Sequence, residues 1–224
     1  MTYYCRFSNE FCFAKRLFSC YNIPNYIERQ EVKGMTISMN ETINNISRRY
    51  SCRDFKSAPV TDEQIEHLVK AALSAPSARN LQPWHVIIVT DKALIEELDA
   101  EGMSLLSKQE DKSMYERMME RGGKMFYDAP CLVVVLSDGS KWGTLDCGIL
   151  CQNVVLAAES LGLGTCIVGL AGIPLNGPKA AGYRKRLGFP EGYEFAIGVL
   201  VGEIKSGKEP HEHDRSKVSY VESS

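Results

Sequence analysis

No apolar stretch in these 224 residues approaches the ~20 that a membrane-spanning helix needs, so the chain reads as one that does not cross a bilayer. No dense basic run appears either. A formal net charge of −2, with both signs mixed along the chain, argues against a nucleic-acid partner. The eight cysteines (5, 12, 20, 52, 131, 147, 151 and 166) contain no Cys-x-x-Cys pair. Cys147 and Cys151 have the spacing of two metal ligands on a helix, but no histidine stands near them, and buried free thiols are the simpler reading. That thiol usage points to a reducing, cytoplasmic setting. A Walker loop, a Ser-His-Asp arrangement and a metal-ligand set are likewise missing by motif. The length suits one ordinary domain, or one domain with an appendage.

What is present centres on residues 75–89, APSARNLQPWHVIIV. Before it, Ile65, Leu68, Val69, Ala72 and Leu73 recur at helical spacing, and Thr61 with Gln64 form the sequence pattern of a capping box. Pro76 stops that helix, because it lacks an N–H and disfavours helical geometry in Ala75. Trp84 to Val89 is an apolar run of strand type. Between helix and strand lie Ser77, Arg79, Asn80 and Gln82, with Pro83 stiffening the exit. Amides on a short loop pinned at both ends can address a flat polar ligand with little entropy loss. The plainer alternative is a loop whose amides satisfy their own backbone.

Elsewhere, Arg49, Ser51 and Arg53 make a plausible phosphate clamp of two guanidinium forks and a hydroxyl; a solvated basic surface is the alternative. Asp91 caps a predicted helix through Leu98. Residues 101–127 are charged and carry five methionines, which serve as core filler or as an adaptable pocket wall. Cys131–Leu136 predicts a strand covered on both faces. Thr144–Leu161 predicts a helix apolar nearly all round, which belongs either at the domain centre or across a subunit interface. The segment 162–169, GLGTCIVG, is not a dinucleotide fingerprint, since it follows a helix and its third glycine is misplaced. A Gly/Pro loop over 171–178, a helix from Pro178 to Gly188 and a last core strand over Phe195–Ile204 follow. The tail from Lys205 holds His211, His213 and Arg215 and is expected to be solvated. Residues 1–40 hold eight aromatics, seven of them crowded over 3–21 without a period, and form no signal peptide. Translation is expected to begin at Met35 or Met39; a flexible arm, or a segment covering a partner subunit, is the alternative.

The string Ala75-Pro-Ser-x-x-Asn-x-Gln-Pro-Trp84 resembles a specific motif of the FMN-dependent nitroreductase family. Arg49-x-Ser51-x-Arg53-x-Phe55, the 162–169 segment and Leu187-Gly-x-Pro-x-Gly-Tyr193 are similar to that family too, so the resemblance spans roughly Ile43 to Val221. It implies an α+β fold, a mixed sheet flanked by helices, with residues 1–40 as an extension and 41–224 as the FMN-binding domain. It implies an intertwined homodimer with FMN at the subunit interface. Arg49, Ser51 and Arg53 would hold the phosphate and ribityl chain, Tyr50 contributing mainly backbone, and Arg215 returning to the phosphate. Ser77, Asn80 and Gln82 would face the flavin, and the main chain of Cys166, Ile167, Val168 and Gly169 would line its ring. NADH or NADPH would donate a hydride to flavin N5, and a nitroaromatic, quinone or similar small acceptor would take the electrons. No catalytic side chain is implied, since the flavin carries the chemistry. A dehalogenating or flavin-cleaving enzyme of the same fold, or a non-catalytic flavin-binding redox sensor, are the alternatives.

Overall fold

The computed structural model describes residues 40–221, and the 1–40 extension falls outside them but for its last residue. Seven helices and four strands are present among the described residues. Strands β1 (Trp84–Val89), β2 (Cys131–Ser137), β3 (Leu163–Val168) and β4 (Glu194–Glu203) form one sheet in the order β1-β2-β4-β3. Every neighbouring pair runs antiparallel. A parallel bridge between Ser51 and Thr165 on the outer side of β3 makes the sheet mixed, within an α+β fold.

After α1 (Glu41–Arg48), helix α2 (Asp62–Leu73) starts in the expected capping box: Thr61 Oγ1 accepts from Gln64 N, and Gln64 Oε1 accepts from Thr61 N. It lies with α5 (Gly143–Ser160) on one face of the sheet, over Trp84, Val133, Val135, Val199 and Val201. The other face packs against α3 (Lys92–Leu106), α4 (Ser113–Glu120), the short α6 (Gly172–Leu175) and α7 (Ala180–Leu187). Strand β2 is buried along its whole length, as its unbroken apolar run requires.

Two local expectations shift. The 171–178 segment is not all loop, because Gly172–Leu175 makes one helical turn. The next helix begins at Ala180, with Pro178 ahead of it, and ends on Gly188 in the left-handed conformation, φ 70°. In the methionine-rich segment, Met118 and Met125 are buried in the core and Met103 and Met114 pack against it, while Met119 is exposed. Asp99 is a buried carboxylate that sequence patterning did not single out. It accepts from Met125 N at 2.9 Å and Phe126 N at 3.2 Å, and so fixes the chain leading into β2; burial raises its pKa.

Five cysteines among the described residues are free thiols. Burial pushes Cys131 and Cys151 up to about 12 and Cys147 to about 11, because the thiolate is the form that burial penalises. At pH 8 these three therefore stay protonated and inert. Iodoacetamide labelling of the native protein at that pH, mapped by mass spectrometry, should leave Cys131, Cys147 and Cys151 unmodified, with full labelling in urea. Rapid labelling of any of the three in the native protein would contradict the burial.

Candidate functional site

The backbone at Ser51 is extended and pinned to β3: Cys52 N donates to Thr165 O at 2.8 Å. Side chains alternate along an extended segment, so Arg49, Ser51 and Arg53 share one side and Cys52 turns the other way into the core; Phe55, also buried, belongs to the separate bridge with Ile204. Neither Arg49 nor Arg53 pairs with a carboxylate among the described residues. The neighbouring Arg48 is committed elsewhere, binding Glu159 of α5 at 2.7 Å. Tyr50 turns its phenol away to Ser206 O at 3.4 Å. The start of the tail is tied to the same segment: Lys205 N donates to Asp54 O, and Ser206 Oγ to Asp54 Oδ2. Arg215 lies farther out, exposed, in a 3-10 turn over Arg215–Lys217.

Strand β3 continues from the Ser51 bridge into the other predicted segment. Cys166 and Val168 are buried, whereas Ile167 is 42 % exposed on the opposite face of the strand. At Gly169 an added Cβ would meet open space. No protein acceptor meets the N–H groups of Gly169, Leu170 and Ala171 among the described residues. Sequence reasoning missed Arg121, at the end of α4. Its charge, with those of Arg53 and Arg49, acts on the Cys166 thiol, whose pKa is nevertheless raised by burial. Nothing in the spacing of residues 101–127 marks that arginine.

The Ser77–Gln82 turn is the other half. Three non-glycine residues adopt positive φ there: Arg79 (55°), Asn80 (55°) and Gln82 (49°). Left-handed backbone costs a non-glycine residue about 1–2 kcal/mol, so other bonds must hold it. Ser77 Oγ accepts from Gln82 N at 2.9 Å, and Ser77 O from Asn80 N at 2.9 Å. Ala78 N donates to Oδ2 of Asp146, a buried carboxylate on α5, at 3.2 Å. Gln82 Nε2 donates to Asn80 Oδ1 at 3.2 Å. Asn80 is therefore left with its N–H donors and Gln82 with its Oε1 acceptor, and both side chains lie exposed.

One chain does not bring these halves together. Ser51 lies outside β3 at the level of Val201, whereas the turn enters β1 at the level of Ser137 and Glu194. Four strand spacings across and six to seven residues along the sheet separate them, roughly 30 Å. The predicted residues thus form two groups at opposite sheet edges: Arg49, Ser51, Arg53 and 166–169 beside β3, and Ser77, Asn80 and Gln82 before β1.

Known proteins share this fold. A solved nitroreductase with bound FMN from Desulfitobacterium hafniense DCB-2 is 47 % identical, with a TM-score of 0.80 over 83 % of this chain and 100 % of its own. A second nitroreductase with bound FMN, from Bacteroides fragilis, is 26 % identical, with a TM-score of 0.75 over 82 % of this chain and 100 % of its own. The NADPH-flavin oxidoreductase of Vibrio harveyi is 31 % identical over 166 residues, 73 % of this chain and 66 % of that protein. The model of the nitroreductase family matches residues 46–203, and with that match the chain belongs to the nitroreductase family.

Proposed function

We propose that the protein is a homodimeric FMN-dependent oxidoreductase carrying electrons from NADH or NADPH to a nitroaromatic, quinone or similar small acceptor. When bound, FMN supplies the redox chemistry by exchanging a hydride at its N5. The observation that carries the reading is the Asn80–Gln82 pair, which presents a donor beside an acceptor on a strained turn. The polar edge of a flavin alternates carbonyl acceptors with an N–H donor, and a paired amide edge matches it where two like groups would not. On the other half, Arg49 and Arg53 offer two uncompensated guanidiniums on one side of an extended segment, with Ser51 between them, which suits a phosphate dianion. The unpaired N–H groups of 169–171 are free to donate to the ring. Arg215 joins from the tail in this reading.

The second copy follows from two features. First, the halves of the site lie too far apart in one chain. Second, α5 exposes an apolar face: Leu145 is 60 % exposed and Ile149 36 %, with Gly148 and Gln152 between and beyond them. This explains why the helix is apolar nearly all round: one side covers the sheet, and the other awaits a partner. Two copies related by a twofold axis along this face bury it on both sides. Because Asp146 ties the Ser77–Gln82 turn to the same helix, that packing carries each turn toward the partner's β3 edge. Val218, Tyr220 and Val221 on the tail are also exposed, and among the described residues β1 leaves an open sheet edge for an arm of the partner to cover.

The purified protein should be yellow and release FMN on denaturation. Asn80→Ala should weaken FMN binding by about 10- to 100-fold, since an unpaired polar partner costs ~1–3 kcal/mol, while the melting temperature holds. Asn80→Asp should be worse, because it sets a carboxylate against the carbonyl oxygens of the flavin edge. Flavin titration and thermal melts check both. Equal FMN affinity in the wild type and both variants removes Asn80 from the site.

Light scattering at micromolar concentration should give the mass of a dimer for the wild type. Leu145→Glu with Ile149→Glu should give a monomer that has lost FMN at the same time. A monomer that keeps FMN would contradict the shared site.

A further inference from the structure

A cavity of about 450 Å³ opens beside the Ser77–Gln82 turn, and its size lies within the ~300–1,000 Å³ typical of small-molecule sites. Its walls come from two turns, Ala78–Leu81 and Ser140–Trp142, with Asp146 between them. Two cations line it, Arg79 and Lys141, and neither pairs with a carboxylate among the described residues. The nearby carboxylates are already engaged: Asp146 accepts from Ala78 N at 3.2 Å, and Asp138 from Ser140 N at 2.9 Å. The Trp142 indole is 51 % exposed, with Lys141 Nζ 5.1 Å from its ring centroid. Arg79 occupies a left-handed position that disfavours any residue with a Cβ, so the turn places a guanidinium at this wall at an energetic cost.

Two unpaired cations and an exposed aromatic face around one cavity suit a ligand that joins anionic oxygens to a planar ring. A nicotinamide dinucleotide carries both, in its phosphates and its adenine. Arg79 and Asn80 are consecutive, so a ligand held at Arg79 extends from the same turn whose amide faces the flavin. We propose that this cavity takes the adenosine-phosphate half of the nicotinamide dinucleotide. Arg79 and Lys141 pair with its phosphate oxygens, and Trp142 offers its indole to the adenine. The inference rests on the functional reading above for the presence of a dinucleotide donor, and adds where that donor docks.

The test uses the charge-removing variants Arg79→Gln and Lys141→Gln, alone and combined, in the holoprotein. Anaerobic stopped-flow bleaching gives an apparent affinity for NADPH, NADH and reduced nicotinamide mononucleotide, which lacks the adenosine phosphate half. The wild type should favour the dinucleotides, and the double variant should lose at least 10-fold of that preference, each single variant less. A larger loss for NADPH than for NADH assigns the cations to the 2′-phosphate, and an equal loss assigns them to the pyrophosphate. Losses matched in the mononucleotide, or no loss at all, would overturn the proposal. Calorimetry with adenosine 2′,5′-bisphosphate and with ADP is a second readout that needs no flavin. If the chain takes up no FMN, the functional reading falls, and these titrations still decide the present one: at least 10-fold weaker binding to the double variant supports it, and unchanged or undetectable binding to the wild type overturns it.

Discussion

The strand order β1-β2-β4-β3 is the constraint on which the rest depends. It sets β1 and β3 at opposite edges, and each edge carries one polar segment that the core does not need. Beside β3, the Ser51 bridge fixes an extended run with arginines on one side. Before β1, the Ser77–Gln82 turn is held in left-handed conformations by Ser77 and Asp146. Buried β2 and β4 keep the two apart, and no loop rearrangement short of unfolding the sheet would bring them together. A ligand that needs both must draw them from two chains, which is the basis for reading α5's exposed apolar face as a contact between copies.

Charge placement leads to the same place. Most ion pairs among the described residues are surface pairs of ordinary kind, such as Arg186 with Glu97 or Lys179 with Glu101, each worth little in water. Arg49, Arg53, Arg79 and Lys141 have no such partner. Lys108, Arg117, Arg121 and Lys185 lack one too among the described residues, so what sets the first four apart is position: they stand in pairs beside the two polar segments to which the proposed function brings anionic groups. Strain adds to this, since the turn before β1 spends left-handed backbone on arginine, asparagine and glutamine where glycine would cost less.

Local features were legible in the sequence because they are set by near neighbours. The Thr61–Gln64 capping box, the helix stop ahead of Pro76 and the buried run of β2 all appear as expected. The motif resemblance named the site segments, and the structure places them in two groups. Other features depend on tertiary partners and leave no local signal. Asp146 reaches a backbone N–H 68 residues away in sequence, and Asp99 reaches two, 26 and 27 residues away. The left-handed turn was not readable, since neither arginine nor glutamine advertises positive φ. The apolar pattern of α5 could not distinguish a central helix from an interface helix; the structure shows one side covering the sheet and Leu145 and Ile149 exposed on the other.

The most direct test of a site shared between two chains is complementation. Arg49→Ala weakens one half of each site and Asn80→Ala the other, so either homodimer has two defective sites. A heterodimer of the two variants, isolated with different affinity tags, should contain one site with both changes and one with neither. Flavin titration of that heterodimer should recover one FMN per dimer at wild-type affinity. If every site in the heterodimer binds as weakly as in the homodimers, both groups of residues act within one chain and the account is wrong.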